Sequence, residues 1–168
     1  MLLSNQIKKF INSLSDLYMY NGGLQFRNIE NIIKLMRGQK AFYMHYNEIL
    51  KTDIPFAQDY FGDQFFLRGN DVIKLYAETG DIEEYELDIN SWFAKVEQNP
   101  EEVLNIDLEW SIEKGKLFLA YPPFCFKESS NAKISKISED EVIDFHIDLH
   151  KKVKGIGDGE TLKIELVE

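Results

Sequence analysis

His146 and His150 stand four residues apart, so on a helix both imidazoles share one face and could converge on a metal ion. Asp144 and Asp148 interleave with them, but no third or fourth ligand follows at a recognisable spacing, and Lys151 and Lys152 oppose a cation there. Asp59, Asp63 and Glu78 offer a second chemistry, general acid–base work by paired carboxylates, one kept protonated by burial. The alternative is local: the aspartate of Phe61-Gly62-Asp63 suits a turn in which its oxygen accepts a backbone N–H. Cys125 follows Pro122-Pro123-Phe124 without a cysteine-peptidase signature around it, and no Gly-x-Ser-x-Gly elbow occurs. Gly155-Ile156-Gly157-Asp158-Gly159 is glycine-rich like a phosphate loop, but the order here is helix, glycines, strand. A phosphate loop needs strand, glycines, helix. No catalytic residue, metal ligand or cofactor is expected.

The elements that must position these residues are legible from periodicity. Ile7, Phe10, Ile11, Leu14, Leu17 and Tyr18 predict an amphipathic helix over residues 5–20, ended by Asn21-Gly22-Gly23. Ile29, Ile32, Ile33 and Met36 predict a short helix stopping at Gly38, while 41–46 fits either helix or strand. Residues 64–68, 72–78 and 83–87 read as three strands joined by Arg68-Gly69-Asn70-Asp71 and Thr79-Gly80-Asp81, an antiparallel meander. Asn90 or Ser91 is expected to cap a helix through Trp92, Phe93 and Val96 that stops before Pro100, where a further short turn of helix opens. Residues 116–121 and 134–137 read as strands. Ser138 with Glu141 is a capping box for a helix to Lys154 with Val142, Phe145, Leu149 and Val153 as its stripe, and 161–167 alternates as a last strand. The expected class is α+β: one domain over residues 1–168, a mixed, mainly antiparallel sheet with a central meander, packed by helices near both ends and after the meander. Phe56, Phe65, Leu75 and Trp92 are expected in its core.

Composition sets the outer limits. The chain has 168 residues, 44% of them hydrophobic and 29% charged, which suits one globular domain and excludes wholesale disorder. No apolar run reaches the length of a membrane helix, and residues 1–9 lack the pattern of a secretory signal, so a cytoplasmic protein is expected. One cysteine excludes an internal disulfide. The formal charge is −10, unevenly spread: residues 1–50 carry six basic and three acidic groups, whereas 78–113 carry twelve acids against Lys95 alone. Such a field repels nucleic-acid phosphates and anionic membranes and attracts basic partners. Aromatics such as Phe65, Phe66, Trp92 and Tyr121 therefore read as core, not as a base-stacking platform.

The ordered motifs resemble the SUKH superfamily. Ile54-Pro55-Phe56-Ala57-Gln58-Asp59-Tyr60-Phe61-Gly62-Asp63-Gln64-Phe65 looks like that family's Phe-Ala-x-Asp-x-x-Gly-Asp core running into a strand. Tyr20-Asn21-Gly22-Gly23 matches its Asn-Gly turn after the first helix, and residues 72–80 followed by Trp92-Phe93 match its meander and helix. Residues 115–126, with Tyr121-Pro122-Pro123-Phe124, are similar to a C-terminal extension of some bacterial members; Phe42, Tyr43 and Tyr46 stand where members often carry a tryptophan. Within the match, Asn21, Gly22, Gly23, Phe56, Asp59, Gly62 and Asp63 are types that turns and cores demand and read as scaffold. The resemblance implies an intracellular immunity protein that binds and neutralises a cognate toxin domain, or else a non-catalytic adaptor or cell-wall regulator. A small hydrolase built on Asp59 and Asp63 is the competing class.

The acidic stretch fits a basic, nuclease-type toxin, because it can imitate the phosphate track such an enzyme binds. Glu78, Asp81, Glu84, Glu86 and Asp88 are the candidate partner-binding residues. Alternation along a half-buried strand sends Glu83 inward with Tyr85 and Leu87 and leaves Glu84, Glu86 and Asp88 facing solvent.

Overall fold

Gly69, at φ +66°, closes a two-residue turn that sets Arg68 opposite Asp71, and the rest of the central meander follows from that register. A computed structural model describes residues 5–156. In chain order the elements are α1 (Asn5–Leu14), β1 (Tyr18–Met19), β2 (Leu24–Phe26), α2 (Ile29–Arg37), β3 (Ile54–Gln58), β4 (Gln64–Arg68), β5 (Asp71–Leu75), β6 (Ile82–Asp88), α3 (Ile89–Gln98), α4 (Pro100–Leu104), β7 (Lys116–Tyr121), β8 (Lys133–Ser138) and α5 (Glu139–Val153). Strands β1 to β6 form one sheet in sequence order, every neighbouring pair antiparallel, and β7 with β8 forms a separate antiparallel hairpin. The architecture is α+β, with the expected meander as β4 to β6. Among the described residues no helix is long and apolar enough to cross a membrane.

Both faces of the sheet are covered, which decides how its side chains alternate. Phe56, Phe65, Leu67 and Val72 pack on one side against Ile11 of α1, Trp92 and Val96 of α3 and Leu104 of α4. Phe66, Ile73 and Leu75 pack on the other against Phe42, Tyr46, Ile49 and the α5 residues Ile143 and Ile147. Phe56, Phe65, Leu75 and Trp92 are all buried, as the sequence leads one to expect.

Several local expectations are corrected. Helix α1 ends at Leu14 rather than near residue 20, because Asp16 takes φ +59° and turns the chain into β1. Asn21 (φ +56°) and Gly22 (φ +90°) then shape a 3₁₀ turn between β1 and β2 instead of ending a helix. Glycine is required there: a Cβ on Gly22 would lie 2.7 Å from Ile112 Cγ2. Residues 42–44 form another 3₁₀ turn. The cap of α3 is Asp88, not Asn90 or Ser91; its Oδ1 accepts the Ser91 N–H at 2.8 Å. The capping box of α5 is present, with Ser138 and Glu141 each accepting the other's N–H. Its buried stripe, however, includes His146, Ile147 and His150, while Phe145 and Val153 are only half-buried. The strand expected over 161–167, and the glycine run beyond Ile156, lie outside the described residues.

Helix α5 docks on the β5–β6 turn through His150, whose Nδ1 lies 3.0 Å from the Thr79 carbonyl and whose ring stacks on Tyr46 at 4.6 Å. Gly80, at φ +84°, makes that approach possible, since a Cβ there would collide with the His150 ring at Cε1. Gly80→Ala is expected to cost about 1–3 kcal/mol, from overpacking and left-handed strain together. A thermal melt equal to the parent's would show that the helix is not seated on this turn.

Candidate functional site

The β3–β4 connection is built around one carboxylate. Asp59 Oδ1 accepts the N–H of Phe61 at 2.9 Å and of Asp63 at 3.1 Å, and Gly62 supplies the φ of +88° that closes the turn. Asp63 in turn accepts the Ala77 N–H at 2.9 Å, tying this turn to the end of the meander.

The same turn brings both carboxylates over Lys74, a lysine 1% exposed at the next-to-last position of β5. Its Nζ lies 3.0 Å from Asp59 Oδ2 and 3.5 Å from Asp63 Oδ2, and donates to the Leu104 carbonyl at 3.0 Å. Three donors thus find three acceptors, the condition under which a buried ammonium is tolerated. Burial works against the charged lysine, but the two aspartates outweigh it and its pKa is raised. Asp63 is pushed up to about 7, first by burial and then by the neighbouring charge of Asp59, with Lys74 and the Ala77 N–H pulling the other way.

Above this triad opens a cleft of about 700 Å³. Its acidic lining comes from separate parts of the chain: Asp59 and Asp63 from the β3–β4 turn, Glu78 and Asp81 from the β5–β6 turn, and Asp107 from the loop after α4. Phe61, Tyr76, Trp110 and Phe124 form its aromatic walls, Phe61 meeting Phe124 edge-on at 5.0 Å and Trp110 at 5.7 Å. Burial raises the Glu78 carboxyl, and the Cys125 N–H, donating at 2.9 Å, offsets part of that. Burial and then Glu78 push the Cys125 thiol up to about 12, the reverse of what a nucleophile needs. His146 belongs to the inner wall beside Gly62; burial pushes it down to about 4, and its Nδ1 has no hydrogen-bond partner among the described residues. Among the described residues no three His, Cys, Asp or Glu side chains are grouped to hold a metal ion.

The five candidate partner-binding residues do not come together. Glu78 and Asp81 line the cleft. Glu84, Glu86 and Asp88 stay outside it on β6, where Glu84 pairs with Arg68 at 3.3 Å, Glu86 takes φ +53°, and Asp88 caps α3. Glu83 is exposed rather than inward: among the described residues no strand pairs with β6 on its other side, and Glu83 accepts the Tyr76 hydroxyl at 2.6 Å. Lys74, Asp107 and Trp110 carry no sequence signal of their own, since the loop 105–115 has no period and Lys74 sits within an apolar run.

Asp63 gives a pH signature. A carboxyl whose folded pKa lies above its unfolded value of about 3.8 binds its proton more tightly when folded, so its contribution to stability grows as pH falls from about 7 toward 4 and is least favourable above 7. Asp63→Asn keeps an acceptor for the Ala77 N–H and removes the titration. Denaturation midpoints between pH 5 and 8 are expected to lose that part of the slope in the variant; an identical pH profile would mean that Asp63 titrates as in the unfolded chain.

No family model, curated protein or solved structure matches the chain.

Proposed function

We propose that the protein is a cytoplasmic immunity protein that binds and neutralises a basic, nuclease-type toxin domain without catalytic turnover of its own. The observation that supports this best is the convergence of five carboxylates from three separate segments on one aromatic-walled cleft. Lys74, beneath it, is buried and already neutralised by Asp59 and Asp63. Half-buried acids such as Glu78, raised by desolvation, gain when a cation arrives, so the cleft is poised for a basic surface. The net charge of −10 steers such a partner in and keeps nucleic acid and anionic membranes away. The resemblance to the SUKH superfamily, carried by residues 54–65, points the same way.

One observation favours the competing small hydrolase, an Asp63 that titrates near 7 beside Asp59. Against it stands the engagement of both carboxylates by Lys74 and by backbone N–H groups, which gives each a structural task.

The test starts from the gene immediately upstream: a secreted protein with a basic C-terminal domain encoded there favours immunity, its absence favours the adaptor role, and such a domain is then co-expressed with this chain. Growth arrest by that domain alone, relieved when this chain is present, with the two surviving gel filtration as a complex, is the expected result. A complex without relief of arrest would favour the adaptor role. Arrest unchanged and no complex would end the immunity reading for that partner, and relief lost in Asp63→Asn without loss of binding would turn attention to catalysis.

A further inference from the structure

We propose that the cleft receives the guanidinium of one arginine side chain presented by the protein partner, held between the carboxylates and the Trp110–Phe124 side of the cleft. This rests on the binding reading above and gives that site its ligand.

The lining chooses the ligand by its size, charge and shape. A metal ion needs several oxygens within about 2.0–2.6 Å of one point, and no such grouping occurs among the described residues. The carboxylates of Asp63, Glu78 and Asp107 are instead spread around a space of about 700 Å³, the scale of an organic cation with part of the chain that carries it. Aromatic rings add the second requirement. Phe124 is 48% exposed at the cleft and so leaves part of its ring open to a flat ligand. Trp110 stands half-buried on the same lining. A guanidinium is planar, weakly hydrated and stacks on such rings, while its five N–H groups fork toward carboxylates; an ammonium is compact, strongly hydrated and does neither as well.

A separate observation also calls for a ligand. His146 is 3% exposed, and its Nδ1 has no hydrogen-bond partner among the described residues. Kept neutral by burial, the ring retains one unprotonated nitrogen, which can accept an N–H. Glu78 accepts from the Cys125 backbone and keeps further lone pairs available, since a carboxylate has about four acceptor sites. The cleft therefore has excess acceptors and aromatic faces, and arginine is the side chain that supplies donors and a flat cation together.

The experiment uses N-acetyl-arginine N-methylamide as probe and the Trp110 indole N–H resonance of the full chain as readout, with Trp92, buried in the α3 core, as the silent reference. The expected result is a saturable Trp110 shift with blocked arginine, at least ~10-fold weaker binding of blocked lysine, and none of blocked citrulline, which has the same shape without the charge. Phe124→Ala and Glu78→Gln should each weaken binding about 5- to 10-fold, and spectra that otherwise superpose on the parent's will show that they still fold. Citrulline binding as well as arginine, or no saturable shift by about 50 mM, overturns the inference. So does free arginine binding as tightly as the blocked form, because its own carboxylate should be repelled here; that outcome would point to a small metabolite. Toxin neutralisation that survives Glu78→Gln and Phe124→Ala unchanged would remove this ligand while leaving the immunity reading intact. Arginine binding without any neutralisation would do the reverse.

Discussion

Lys74→Met is expected to lower the stability of the fold by about 3–5 kcal/mol at neutral pH, a large share of what holds a domain of this size together. The reason is asymmetry. The wild-type triad gives the ammonium three acceptors, at 3.0, 3.5 and 3.0 Å, and gives Asp59 and Asp63 a shared counter-charge. Methionine fills the volume but leaves two carboxylates facing each other where burial already pushes Asp63 up to about 7. Without the ammonium, Asp63 would bind its proton still more tightly in the folded than in the unfolded chain. By linkage, the loss should shrink as pH falls from 7 toward 5 and grow toward pH 8. Adding Asp59→Asn and Asp63→Asn to Lys74→Met should recover much of the loss, because removing all the charges is cheaper than stranding two of them. Urea midpoints across that pH range give the answer. A Lys74→Met protein with the parent's midpoint at pH 7.5 would mean that the triad is not a closed, desolvated unit.

Lys74 also marks where sequence reasoning stops. In the run Val72-Ile73-Lys74-Leu75, a lysine between apolar neighbours on a half-buried strand points to solvent. Here α3 and α4 cover that face as well, so the lysine is buried and needs partners that lie 11 and 15 residues earlier in the chain. The meander itself was legible because its turn Arg68-Gly69-Asn70-Asp71 is local, as was α5, whose capping box spans four residues. Strands β1 and β2, two and three residues long, are too short to show a period, and β3 hides behind Pro55. The cleft could not be read at all as a unit. Glu78 and Asp81 were visible as part of an acidic stretch, but nothing in spacing joins them to Asp107, Trp110 or His146, which only packing brings together.

That difference between stretch and cleft yields the sharpest functional contrast. Glu78→Lys with Asp81→Lys should weaken capture of a basic partner about 100-fold or more, while Glu84→Lys with Glu86→Lys should weaken it only a few-fold. Both pairs reverse the same formal charge, so long-range steering changes equally, and each should slow association in a salt-dependent way. They differ in what happens at contact. Glu78 and Asp81 line the cleft, Glu78 half-buried, and a lysine there confronts an incoming cation in a desolvated place. Losses for a truncated buried charge pair run to about 2–5 kcal/mol, and 1.4 kcal/mol is tenfold in affinity, so 100-fold is a modest expectation. Glu84 and Glu86 are exposed on β6, where screening limits any one pair to about 1 kcal/mol or less. Glu84→Lys also parts from Arg68, but Arg68 keeps Asp53 at 2.7 Å, so the fold should hold. The measurement is association and dissociation rates at low and physiological salt. The β6 pair should act on the on-rate alone, and the cleft pair on both rates. Equal effects of the two pairs would make the partner surface the whole acidic stretch. Capture indifferent to both pairs and to salt would move the search to residues 1–50, where basic groups outnumber acids six to three.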